Sequence, residues 1–227
     1  MTMSEIPSES APRPRPSSSP RFLRAARQFW KWFGDEHQRL SEMLRNHDTE
    51  GILAAVGPRM AMLHESISEV QHWEIGPGIR KQAALSFQLV KLENIPIIQA
   101  FVDMSPAEVL ANWEINAGRP PKIWSGTFEF QDLFTLDTNM WRYVLTSYQD
   151  GAFYDIEINA SSWPAAMTSE ERLSAAWLAL EFYLGERVLL EKIGHVEVLK
   201  SLTTAQRKRF SALPDLPDHL KHIQKKT

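Results

Sequence analysis

The sequence predicts an α+β fold: a mostly antiparallel β-sheet with helices packed on one face, preceded by two N-terminal helices. Three observations carry this reading. Apolar residues recur at three- and four-residue spacing up to Val70. From His72 the spacing changes to two, the period of a half-buried strand. One strongly capped helix near Thr168 is followed by a further strand, so hairpins and helices stand apart along the chain.

Taken in order, Phe29, Phe33, Leu40 and Leu44 share one face of a first helix. Gly34-Asp35 with Gln38 offers an alternative start within it. Asp48 caps a second helix, whose apolar side runs through Ile52, Val56, Met60 and Leu63 and which Gly57-Pro58 is expected to kink or divide. Residues 72–75 and 84–92 then read as a hairpin around Gly76-Pro77-Gly78. A short helix follows from Pro96, and Ser105-Pro106-Ala107-Glu108 has the form of a capping box opening another. Trp113–Ala117 alternates again, and short strands are expected at 128–130 and 133–136. Asp150-Gly151 joins the runs 141–148 and 153–158 and is the strongest hairpin signal in the chain. Thr168 with Glu171 opens a helix with Leu173, Ala176, Trp177, Leu180 and Leu184 on its buried stripe and Gly185 at its end. Residues 195–199 make the last strand; a short helix over 203–210 and a fraying end complete the reading.

The domain organisation follows from composition. Residues 1–21, rich in Pro, Ser and Arg, offer almost nothing to bury and read as a disordered tail. Residues 22–199 read as one α+β domain, and 200–227 as a basic C-terminal helix or tail. The net charge of −3 hides an uneven distribution, because both ends are basic while the middle of the chain is strongly acidic. An acidic body repels phosphate backbones, so the main domain is not expected to bind nucleic acid; it attracts basic partners instead. The basic ends read as solvating tails, with a nucleic-acid or membrane tether as the other use. The absence of cysteine excludes disulfides, thiolate nucleophiles and cysteine metal sites. No apolar stretch reaches the length of a membrane span and no apolar leader opens the chain, which predicts a soluble, cytoplasmic protein.

Motifs of known chemistry are missing. There is no Gly-x-Ser-x-Gly elbow, no phosphate-binding loop and no His-Glu-x-x-His, since Ser68 stands at the second ligand position after His64-Glu65. No catalytic residue and no cofactor is assigned. Strand alternation supplies the candidates. His72 with Glu74, Glu114 with Asn116, Asp155 with Glu157 and Asn159, and His195 with Glu197 point one way, while Trp73, Trp113, Tyr154, Ile156 and Val196 point the other. The polar face is expected to be open and acidic. Glu74, Glu114, Asp155, Glu157 and Glu197, with Trp124 as an exposed anchor, are the candidate binding residues. The preferred function is a non-catalytic binding or accessory domain that engages a basic protein partner, for instance to neutralise a toxin or regulate an enzyme. If the strands converge, His72 and His195 with Glu74 and Glu114 become metal ligands of a hydrolase, the alternative reading. His37 and His47 are read as surface or capping residues.

The aromatic opening Phe29-Trp30-Lys31-Trp32-Phe33, the strand and turn from Trp73 to Gly78, and Leu184-Gly185-Glu186 with Ile193-Gly194-His195-Val196-Glu197 together resemble a group of uncharacterised bacterial cytoplasmic α+β domains. The similarity spans about residues 28–199. It implies a bacterial, cytosolic setting and a fold, and it implies no catalytic residues.

Overall fold

Alternation and helical spacing sort the buried side chains into two clusters, one built by the first half of the chain and one by the second. The computed structural model describes residues 19–148, 151–160, 163–199, 201 and 208–224. The tail expected over 1–21 falls almost wholly outside the described residues, as do Gln149-Asp150 of the hairpin turn and most of the short helix expected over 203–210. The fold is α+β, with two N-terminal helices followed by three small sheets on which further helices pack.

Helix α1, Pro20–Arg45, starts where Ser19 accepts a hydrogen bond from the Phe22 amide and Pro20 fits the first turn without losing a donor. It runs unbroken through Gly34, so the alternative start there is not used. Asp48 caps α2, Thr49–Ser66, by accepting from the Gly51 amide at 2.9 Å. Pro58 does not divide α2. Buried Val56 and Met60 bracket the proline, and packing of that stripe against α1 outweighs the lost backbone bond.

Strand β1, Trp73–Gly76, pairs antiparallel with β2, Ala83–Phe87, and β2 pairs parallel with β3, Trp113–Ala117. A parallel neighbour needs a crossover, supplied by α3, Ile95–Val102, and α4, Ala107–Asn112. The capping box expected at α4 is not formed: the Ser105 hydroxyl donates to the Val102 carbonyl at the end of α3, and no side chain caps α4. The apolar side of this sheet meets α1 and α3 in an aromatic core. Trp30 stacks on Phe101 at 5.0 Å, and Phe33 meets Trp113 edge-on at 5.0 Å. Both indole N–H groups are satisfied, Trp30 by the Phe101 carbonyl and Trp113 by that of His37. His37 is therefore not a surface residue; it is buried, with Nδ1 2.7 Å from the Gly34 carbonyl oxygen.

The second half begins with the β4–β5 hairpin, Thr127–Phe130 and Phe134–Asp137. Strands β6, Arg142–Tyr148, and β7, Phe153–Asn159, form the expected hairpin. Helix α5, Ser169–Lys192, then carries the chain to β8, Ile193–Leu199, parallel to β7. Thr168 and Glu171 form the predicted capping box. Leu173 lies on the exposed side of α5 instead of its stripe, which is completed by Ala175, Ala176, Ala179 and Leu180. Gly185 breaks the helical geometry, but a further helical turn follows before β8. The described residues 208–224 are not a fraying end. β9, Ser211–Ala212, pairs with β6, and α6, Leu216–Gln224, docks on the second core through Leu216 and Leu220. Sheet order there is β8-β7-β6-β9. No helix among the described residues is long and apolar enough to cross a membrane.

Candidate functional site

The predicted polar face is divided between two sheets. Register in the first sheet aligns Glu74, Ser86 and Asn116 in one row and Gly76, Ala84 and Glu114 in the next. Over this face lies the segment after β3, where Gly118 adopts φ +90° and Arg119 to Lys122 descend onto α5. The two surfaces enclose a cleft of about 450 Å³ lined by Glu74, Ser86, Glu114, Arg119, Pro121 and Ile123.

Helix α5 opens to receive that segment. Gly185 sits at φ 75°, ψ 158°, a conformation reserved for glycine, and a Cβ there would come within 2.8 Å of Pro121 and 2.9 Å of the Arg119 carbonyl oxygen. The helical bond from the Glu186 amide to the Phe182 carbonyl is replaced by two others: the Glu186 amide donates to Arg119, and the Phe182 carbonyl accepts from the Lys122 amide. Glu186, 4% exposed, then reaches back. Its Oε2 accepts from the Leu89 and Arg119 amides at 3.0 Å each, and its Oε1 accepts from Arg119 Nε at 2.9 Å. Glu181 shares the same Nε and Nη2 donors of the guanidinium, at 3.1 and 3.3 Å.

The electrostatics follow from this crowding. Burial opposes the charge on Arg119, yet its hydrogen bond to Glu186 and the fields of Glu181, Glu186 and Glu74 raise its pKa. Burial raises the Glu181 carboxyl, with Glu186 adding to the rise and Arg119 opposing it. Glu114 is equally engaged: its Oε1 accepts from the Arg80 and Lys81 amides and fixes the turn after Gly78. Of the acids facing the cleft, Glu74 alone makes no hydrogen bond or ion pair among the described residues.

The third sheet is different. Tyr154, Ile156, Ile158 and Val196 are buried under α5 and α6, and the alternate positions face outward. Register sets Thr146, Asp155 and His195 in one row and Val144, Glu157 and Glu197 in the next. Asp155 beside Tyr148 raises the phenol pKa, by its capacity to accept the hydroxyl proton and then by its charge. Between Tyr154 and Asp155 the register skips Gly194, a β-bulge at which an added Cβ would stand 3.2 Å from Asp155 Oδ1. Glu157 and Glu197 lie directly opposite one another, and among the described residues neither carboxylate has an ion pair or a hydrogen bond.

His72 stands just before β1 in the first sheet and His195 in β8 of the third, and these strands do not pair. The convergence needed for a shared metal does not occur, and among the described residues no group of three or more His, Asp or Glu could hold an ion. Trp124 is not an exposed anchor. It is half-buried, 5.1 Å from Phe182 and 5.0 Å from Tyr183 between ring centroids. Exposed apolar surface sits instead at the cleft rim, on Ile79 and on Ile123, which is 84% exposed. The Arg119–Glu181–Glu186 cluster escaped sequence reasoning because Arg119 lies far from the two acids in the chain; the local sign was Leu184-Gly185-Glu186, a glycine followed by an acid inside an apolar helix. No family model, no curated protein and no solved structure matches this chain.

Proposed function

We propose that this chain is a non-catalytic binding module that engages a basic protein partner through the uncovered face of the β6–β7–β8 sheet, in a neutralising or regulatory role. The observation that supports it most is the pair Glu157 and Glu197. Like charges directly opposite on a sheet destabilise it, by an amount within the roughly 0.2–1 kcal/mol range of cross-strand pairs. A fold retains such a pair at least expense where a cationic group from outside comes to lie over it. Asp155 extends the same acidic strip along β7, and the strongly acidic middle of the chain adds long-range attraction for a basic surface. The acids around the cleft of the first sheet support this reading less well, since Glu114 of β3 and Glu181 and Glu186 of α5 are already held by groups of the fold itself.

The test is titration of the full chain with an oligolysine peptide, followed by isothermal calorimetry at low and at high salt. Binding is expected at low salt, weaker at high salt, and lost in the double variant Asp155→Lys/Glu157→Lys. No binding at low salt, or binding that survives both changes, contradicts the reading.

A further inference from the structure

The outer edge of β8 is the longest open strand edge among the described residues. β8 spans Ile193–Leu199 and pairs only with β7, whereas the opposite edge of its sheet ends in the two residues of β9. Alternate residues of such a strand turn N–H and C=O groups outward, and among the described residues the backbone of β8 past Ile193, whose amide donates to the Leu189 carbonyl of α5, makes no hydrogen bond beyond its own sheet. Edges of this kind are ordinarily guarded by lysine, proline or a cover of other chain. The strand Ile-Gly-His-Val-Glu-Val-Leu has neither residue, and its bulge sits at Gly194, leaving 195–199 regular.

We propose that β8 is a self-association edge: two copies of the chain join their β8 strands antiparallel about a two-fold axis through Val196. Register selects this arrangement. A two-fold at Val196 sets His195 opposite Glu197 of the partner subunit, and Glu197 opposite His195 of the partner subunit, at the Cβ separation of about 4.5–5.5 Å typical of facing positions. A two-fold at Glu197 would set that carboxylate against its own copy, and one at His195 would set Glu197 opposite Ile193 of the partner subunit. Only the Val196 register pairs donor with acceptor. It also answers the local charge problem. Glu197, flanked within its own copy by Glu157, gains an imidazole on its other side, while His195 becomes bracketed by Asp155 and by Glu197 of the partner subunit. An axis perpendicular to the sheet keeps both open faces on the same side, so two four-stranded sheets become one continuous acidic face. This inference is independent of what that face binds.

Analytical ultracentrifugation of the full chain tests it, with far-UV circular dichroism confirming the fold of each variant. The wild type is expected to sediment as a dimer. His195→Glu sets two carboxylates in opposition at both symmetric positions and is expected to weaken dimerisation by at least about tenfold. The swap His195→Glu/Glu197→His restores opposite pairing in the same register and is expected to restore the dimer. A monomeric wild type, a dimer indifferent to His195→Glu, or a swap that fails to rescue overturns the proposal. If His195→Glu loses its fold, His195→Cys/Glu197→Cys decides. In a chain with no other cysteine it is expected to form a disulfide between copies under mild oxidation, and its failure to do so counts against the Val196 register.

Discussion

Strands β1–β3 and β6–β8 share a topology: an antiparallel hairpin whose second strand takes a parallel partner through a helical crossover. Each puts aromatic and aliphatic side chains on one face and carboxylates on the other. What happens to the carboxylates differs. In the first unit the chain leaving β3 folds back over the polar face and locks into the break in α5, where Arg119 lies between Glu181 and Glu186 and Glu114 holds a turn. In the second unit no side-chain hydrogen bond or ion pair among the described residues holds Glu157 or Glu197. The same alternation thus builds a joint between two cores in one place and, among the described residues, an acidic strip without side-chain partners in the other. Polarity along a strand tells where a group points, and the path of the next segment decides whether the fold uses it.

The largest effect should come from the joint. Arg119→Ala leaves the Glu186 carboxylate buried beside Glu181 without its cation, and is expected to cost about 3–5 kcal/mol in chemical denaturation. A cost below about 1 kcal/mol would show that the two cores do not depend on this contact. Gly185→Ala comes next. It combines a φ of +75° with a Cβ pressed against Pro121 and the Arg119 carbonyl oxygen, and is expected to cost about 2–4 kcal/mol in the same measurement. An equal loss from Gly57→Ala, where an added Cβ meets nothing within 4 Å, would place the effect in generic helix disturbance instead.

The fold class was legible because periodicity reports burial, and burial is what α1, β7 and α5 achieve. Capping was legible where the side chain has no competitor, as at Asp48 and Thr168, and failed at Ser105, whose hydroxyl found a nearer carbonyl at the end of α3. The docked C-terminus was missed because Pro214 and Pro217 disguised the apolar spacing of Leu213, Leu216 and Leu220. For the candidate site, two-residue alternation placed Asp155, Glu157 and Glu197 on one open face but merged them with Glu74 and Glu114, which belong to another sheet. Strand pairing depends on contacts between distant segments, and nothing local in the chain records which strands become neighbours. The cluster around Arg119 was illegible for the same reason.

The most direct measurement is a paired denaturation experiment on Glu186→Gln and Glu157→Gln. Both remove one negative charge from an acid that follows the same rules of chemistry. Glu186→Gln sets an amide N–H₂ among the Leu89, Arg119 amide and guanidinium donors and is expected to lose about 2–3 kcal/mol. Glu157→Gln relieves a facing carboxylate and is expected to gain up to about 1 kcal/mol. Similar losses at both positions would contradict the account, because Glu157 would then be holding the fold together as Glu186 does.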